Sequence, residues 1–155
     1  MTAIRVEETP KVIDNLRRIF QAINEFSKVA EHVSGLTGPQ LWALKILSNT
    51  SPLRVSDLAR LMYLRPATVV GIIDRLEAKG LVTRIRSKKD RRAVDLDLSE
   101  TGKEVVFKAP EVAQIMLLKG LEKLPDEQFL QVVNGMQLMV QILGAENITP
   151  QPLHS

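Results

Sequence analysis

The segment LARLMYLRPATVVGIIDRLEAKG, residues 58–80, restricts the fold more than any other stretch. Apolar residues recur at three- and four-residue spacing on both sides of Arg65 and Pro66, so two short helices must meet across a tight turn. Pro66 suits the first turn of the second helix, where an N–H would have no partner to lose. Gly80 suits the position just past its end. The cap position of that second helix is the anomaly. A Ser, Thr, Asp or Asn there accepts from a free backbone N–H, whereas Arg65 brings another donor and a full positive charge to the positive end of the helix dipole. Such a local cost asks for an acceptor from elsewhere: a neighbouring acid, or guanine or phosphate of a bound nucleic acid.

Upstream, residues 11–33 place Val12, Leu16, Ile19, Phe20, Ile23, Phe26, Ala30 and Val33 on one face of an amphipathic helix that Gly35 and Gly38 end. Thr37 reads as the N-cap of a helix over 39–49 with Leu41, Trp42, Leu44 and Leu47 inside. Ser56 reads as the cap of the next, with Leu58, Ala59 and Met62 inside. Past Gly80 the period drops to two. Val82–Arg86 and Ala93–Leu98 read as strands, with Val94, Leu96 and Leu98 on one face and Asp95 and Asp97 on the wet side. The loop between them, SKKDRR, has four cations in six residues. Ser99 restarts helix, and the stripe Val105, Val106, Val112, Ile115, Met116, Leu118 and Leu121 follows, with a kink expected at Pro110. Pro125 opens a last helix to about Leu143, packed through Phe129, Leu130, Val133, Met136, Val140 and Leu143. The tail GAENITPQPLHS is expected to be poorly ordered. The expected fold is mainly α with a small β-hairpin wing: one unit over 1–155, with a winged helix-turn-helix lobe over 37–99 between flanking helices at 11–35 and 100–145.

The chain of 155 residues is long enough for one ordinary core. Its formal charge of +3 is unevenly placed. Between Ser51 and Arg92 there are eleven Lys/Arg and four Asp/Glu, a net of +7, while the rest carries ten and fourteen, a net of −4. A basic middle between acidic ends suits a polyanion, although a solvated charged face gives the same count. On the helix 66–79, Val69, Ile72, Ile73 and Leu76 form an inner face, and Thr68, Gly71, Arg75 and Lys79 a second stripe, with Arg65 and Ala67 at its start. Small side chains permit close approach to a major groove, N-terminal residues reach base edges, and later cations meet phosphates. A basic hairpin beside such a helix adds a backbone or minor-groove contact. The candidate DNA-binding residues are Arg54, Ser56, Arg65, Pro66, Ala67, Thr68, Gly71, Arg75, Lys79, Arg84, Arg86, Lys88, Lys89, Arg91 and Arg92.

Catalysis finds little support. The absence of cysteine excludes disulfides, thiolate chemistry and thiol-based oxidant sensing, and fits a reducing cytoplasm. His32 and His154 are far apart, zinc-ligand spacing is missing, and no glycine cluster resembles a phosphate loop, so neither a cofactor nor a metal is expected. The start MTAIRVEETP lacks a signal-peptide core, and no run of about 18 apolar residues suits a membrane.

The segment LTGPQLWALKIL, followed by PLRVSDLARLMYLRPATVVGIIDRLEAKGLVTRIRSKKDRRAVDLDLSETGK, resembles the MarR family of bacterial winged helix-turn-helix transcription regulators. The wing pattern Asp-x-Arg…Leu-Ser/Thr-x-x-Gly is met by Asp90, Arg92, Leu98, Ser99 and Gly102, and DRLEAKGLV, Asp74–Val82, is typical. The resemblance implies a homodimer on a pseudo-palindromic duplex, control of transcription that is usually repression, and a recognition helix over 66–79. It implies that the flanking helices are dimerisation helices. A wing arginine would enter the minor groove, Arg92 by the family pattern with Arg91 as the alternative, and Asp90 would orient them. It also implies a cytoplasmic, nucleoid-associated protein of a bacterium or archaeon. Family members bind small ligands near the dimer helices, so an aromatic or anionic effector is expected, with Phe20, Phe26, His32 and Trp42 as candidate lining. Aromatic residues at helical spacing also read as plain core, and His32 as a plain surface residue. The chain departs from the family at Arg65, where Ser is frequent. A protein-contact role for the winged lobe and nonspecific architectural DNA binding are the competing readings. Salt-sensitive binding to duplex DNA separates the first, and the ratio of specific to nonspecific affinity the second.

Overall fold

Thr37 starts the lobe. Its hydroxyl accepts from the Gln40 N–H at 3.3 Å, and the Gln40 side chain accepts from the Thr37 N–H at 3.2 Å, a reciprocal pair that satisfies two donors at one helix start. The computed structural model describes residues 1–153, so His154 lies outside the described residues. In chain order the elements are α1 (Ala3–Ser34), α2 (Gly38–Asn49), β1 (Leu53–Arg54), α3 (Val55–Leu61), α4 (Pro66–Ala78), β2 (Val82–Arg86), β3 (Val94–Leu98), α5 (Glu100–Lys108), α6 (Ala113–Lys123) and α7 (Asp126–Ile142). The molecule is mainly helical with one small antiparallel sheet of order β1-β3-β2.

The core forms around α2, whose Leu41, Ala43, Leu44 and Leu47 are fully buried. Leu58 and Met62 pack on it from the α3 side, Val69, Ile73 and Leu76 from α4, and Val82, Leu96 and Leu98 from the sheet. The hairpin pairs Val82 with Leu98 and Arg86 with Val94. Leu96 and Leu98 face inward as their alternation predicts, but Val94 lies beyond the core and is exposed.

Several expectations need correction. The strand β1 pairs Leu53 with Leu96 and Arg54 with Asp95; two residues are too few to show a period. Because the chain passes from β1 straight into α3, Arg54 is the N-cap and Ser56 sits inside the first turn, so Ser56 caps nothing. Pro110 ends a helix instead of kinking one. It pushes the residue before it out of the helical region, and Ala109 is extended (φ −72°, ψ 143°), so α5 stops at Lys108 and α6 begins afresh. The Lys45 ammonium, part-buried, donates to the Pro110 carbonyl at 2.6 Å and holds this break. Helix α1 starts eight residues earlier than the pattern suggests and carries Pro10 inside it. Its 32 residues bury only Ala30, and α7 buries none. The tail returns to the molecule: the Leu153 carbonyl accepts from the Gln114 side chain at 3.3 Å.

Helix α4, the β2–β3 hairpin and α5 meet at one junction. The Ser99 hydroxyl accepts from the Gly102 N–H at 3.0 Å and donates to the Gly80 carbonyl at 2.7 Å, while the Ser99 N–H donates to the Leu81 carbonyl at 3.0 Å. A Cβ on Gly102 would fall 2.3 Å from the Leu81 carbonyl oxygen and 3.1 Å from the Leu98 side chain. Gly102→Ala is therefore expected to destabilise the protein by about 1–3 kcal/mol, read from urea or thermal unfolding. Unchanged stability would show that the junction yields cheaply.

Candidate nucleic-acid interface

The turn between α3 and α4 contains a residue that local rules disfavour. Tyr63 adopts the left-handed conformation (φ 55°), its N–H bonds the Arg60 carbonyl at 3.2 Å, and the Leu64 N–H reaches the Ala59 carbonyl at 3.0 Å. This is the helix-ending arrangement that glycine normally occupies. Tyr63 is also 77% exposed, so its ring gains little burial in return. Sequence reading missed it, because a tyrosine gives no sign of left-handed backbone until the turn is seen.

Both helices of the pair begin on arginine. Arg54 caps α3 and Arg65 caps α4, each with extended backbone and neither with a side-chain cap bond. At each start, where an acceptor belongs, the chain supplies further donors.

The acids of this region are already engaged. Asp57 pairs with Arg60 at 3.4 Å. Asp74 and Glu77 of α4 both hold Arg84 of β2, with the Glu77 contact at 2.6 Å. The hydrogen bond to Asp74, with help from Glu77, lifts the Arg84 guanidinium above its usual pKa and keeps it charged. Asp90 accepts from the Arg92 backbone N–H at 3.0 Å, so it shapes the wing tip through the backbone and does not pair with an arginine side chain. Among the described residues, Arg54, Arg65, Arg75, Arg86, Lys88, Lys89, Arg91 and Arg92 have no carboxylate partner. The apparent excess of charge is thus a real excess of unpaired donors.

Two of the candidate residues are committed elsewhere. Arg84 braces the wing against α4, and the Lys79 ammonium donates to the Gly35 carbonyl at the end of α1, at 2.9 Å. On α4, Pro66, Ala67 and Gly71 are exposed, Thr68 is half-buried, and Val69, Ile73 and Leu76 hold the helix to the core. Beside the wing, a concavity of about 550 Å³ has Arg54, Arg86, Lys88 and Lys89 together with Asp57, Asp95 and Asp97. Those carboxylates make it a poor seat for a phosphate.

The four candidate effector residues are not brought together. Trp42 is in the lobe core, and Phe20 and His32 are exposed. Phe26 lines an open apolar groove of about 520 Å³ between α1 and α6, with Ile19, Ile23, Met116, Leu117 and Leu121. Phe20 and His32 are each six residues from Phe26, which turns them about 120° away around the helix.

Among the described residues no group of three or more His, Cys, Asp or Glu is placed to hold a metal, and no helix is long and apolar enough to cross a membrane.

Two helices across a tight turn, the second with small residues and cations outward, and a basic hairpin braced against it define a winged helix-turn-helix. The model of the MarR family matches residues 36–94. The HTH-type transcriptional repressor MdtR of Bacillus subtilis is 31% identical over 120 residues, 77% of each chain. The transcriptional regulator BldR from Sulfolobus solfataricus has a similar structure, with 28% identity and a TM-score of 0.57 over 90% of this chain and 99% of that one. A MepR like protein complexed with pseudoligands is similar at 28% identity and a TM-score of 0.57, over 93% and 99%. The chain belongs to the MarR family and is a DNA-binding transcription regulator, not an enzyme.

Relieving the turn should stabilise the free protein. A left-handed non-glycine residue costs about 1–2 kcal/mol, offset in part by glycine's greater loss of entropy on folding, so Tyr63→Gly should gain about 0.5–1 kcal/mol. Chemical unfolding measures it, and a loss would mean that the tyrosine ring contributes packing that outweighs the strain.

Proposed function

We propose that the protein is a homodimeric repressor that reads a pseudo-palindromic DNA site with α4 and the wing, and leaves it when a small aromatic or anionic effector binds. The observation that carries the DNA-reading part is the donor excess: eight cations without carboxylates, and two helix starts capped by arginine. Phosphate oxygens and the guanine O6 and N7 are the acceptors that such a surface lacks. In this reading Arg65, Ala67, Thr68 and Gly71 face the major groove, Arg75 meets phosphate, and Arg92 or Arg91 enters the minor groove from a tip that Asp90 shapes.

The flanking helices support the dimer. Phe20, Leu130 and Met136 are more than half exposed. A second copy packed on these faces by a two-fold axis would set two recognition helices about 34–36 Å apart, one turn of DNA. The groove at Phe26 is the site left for an effector once Trp42, Phe20 and His32 are removed from the set. The pseudoligands of the MepR-like protein point the same way. An effector must bind the DNA-incompetent arrangement better, by about 1.4 kcal/mol for each tenfold loss of DNA affinity. The location that follows is the DNA-containing cytoplasm.

Enrichment of random duplexes by the purified protein, with sedimentation at micromolar concentration, tests the core of this reading. A palindromic consensus and a dimer are expected. A monomer that binds such a palindrome tightly would sink the dimer, and failure to enrich any sequence would sink specific recognition. Repeating the selection with a panel of lipophilic compounds tests effector control, which fails if compounds bind the protein yet none alters DNA affinity.

Two substitutions separate the contacts. Arg65→Ser restores a capping oxygen, so the free protein should gain about 0.5–1 kcal/mol per subunit while DNA affinity falls by about 1–3 kcal/mol per half-site. Loss of preference at one base pair identifies a guanine contact, and a uniform loss identifies a phosphate. Arg92→Ala should leave stability nearly unchanged and lower the salt slope by about 2 per dimer if one phosphate neutralisation per subunit is lost. If Arg65→Ser destabilises the protein and spares DNA binding, Arg65 is structural.

A further inference from the structure

Gly144 closes α7 in the left-handed conformation (φ 63°), and the following residues fold back. The Ala145 N–H bonds the Val140 carbonyl at 3.0 Å, and the Ile148 N–H bonds the Ala145 carbonyl at 3.1 Å. At the far end the Leu153 carbonyl accepts from Gln114 at 3.3 Å and lies 3.9 Å from where a Cβ on Gly38 would sit. The segment is therefore anchored beside the starts of α2 and α6. Between these anchors Gln151 and the half-buried Pro152 form one wall of a cleft of about 180 Å³. Thr68, Gly71 and Arg75 of the recognition helix form another.

We propose that residues 144–153 are a strap that passes beside α4, facing Thr68, Gly71 and Arg75 across this narrow cleft, and that it competes with duplex DNA for that face of the helix. The inference rests on the DNA reading of α4 given above. A helix with its side chains is about 10–12 Å across and the major groove is about 12 Å wide, so a helix seated there leaves little room for a second segment along its flank. The strap has one charged residue, Glu146, and no cation, so shape and hydrogen bonds hold it and salt should disturb it little. Pro150 and Pro152 restrict the unbound segment and lower the entropy lost on docking. Because the strap is tethered, even a weak contact acts at a high effective concentration. It starts at the end of α7, so a shift of that helix would move it off or onto α4. DNA access would then be set partly by the flanking helices.

Binding of three variants to the duplex selected by the full chain tests this. One chain ends at Leu143; the other two are full-length, Gln114→Ala to loosen the far anchor and Pro152→Gly to loosen the wall. Removing the strap should tighten binding about 5-fold or more, the lower end of typical coupling between sites, with the salt slope unchanged. The two full-length variants should move the same way by less. On the unaltered chain, backbone amides of residues 145–153 should exchange faster with solvent when DNA is added. Equal or weaker DNA binding by all three variants overturns the strap. If neither the full chain nor the shortened one binds any duplex, the DNA reading of α4 itself falls.

Discussion

The approach of Gly102 to the Leu81 carbonyl sets the geometry on which the lobe depends. With hydrogen in place of a side chain, α5 starts directly against the turn that joins α4 to the wing. Ser99 then links Gly80, Leu81 and Gly102 through one hydroxyl and one amide. Arg84, held by Asp74 and Glu77, ties the wing strand to α4 a second time. Exposed ion pairs contribute little stability, about 0–1 kcal/mol, so the value of this brace lies in orientation. The cations of the tip are carried on a hairpin whose direction is set before any partner arrives, which lowers the ordering cost of binding.

Local signals in the chain were legible where the chemistry is local. Thr37 and Pro66 at helix starts, Gly80 after a helix end and the alternation of Leu96 and Leu98 all mean in the structure what their positions imply. What failed depended on distant atoms. Ser56 has the chemistry of a cap, yet pairing of Arg54 with Asp95 moved the cap back two residues. Helix α1 runs eight residues further back than its apolar pattern, through Pro10, which removes one ladder bond without ending the helix. Trp42 and Phe26 share apolar character, but only packing sends one to the core and the other to an open groove. The charge count was readable in the sequence. Which cations already had a partner within the protein was not, and Lys79 and Arg84 show theirs only in the structure.

The flanking helices pose the opposite problem from the lobe. Leu130, Met136, Leu138 and Ile142 of α7 are all more than half exposed, and no residue of that helix is buried. Full burial of one such side chain is worth about 1.5–3 kcal/mol, so the exposed apolar residues of α1 and α7 represent much of the stability that a small domain can have. Contiguous apolar faces of this kind mark a partner surface more often than a solvated one. In the proposed dimer a second copy of the chain would bury them, so the stability of the flanks would then depend on protein concentration.

The flanks join the lobe through packing, with Ala30 of α1 and Val112 before α6 buried in the same core as Leu41 and Leu44, and through a few polar bonds. Lys79, at the end of α4, holds the end of α1 at Gly35, and Lys45 of α2 holds the break at Pro110; within the flank, Gln114 of α6 holds the tail at Leu153. Each is a single side-chain donor on a backbone carbonyl, so a shift of either helix by about 1.5 Å, one residue's rise, must be absorbed by the side chain, break the bond or carry the lobe with it. A ligand in the groove between α1 and α6 could therefore act on α4 only to the extent that it favours one setting of these bonds over another. Hydrogen bonds to a charged donor are worth about 1.5–3 kcal/mol each. The part-buried Lys45 bond is of the size that a tenfold change in DNA affinity requires, about 1.4 kcal/mol, whereas the exposed Lys79 bond is worth less.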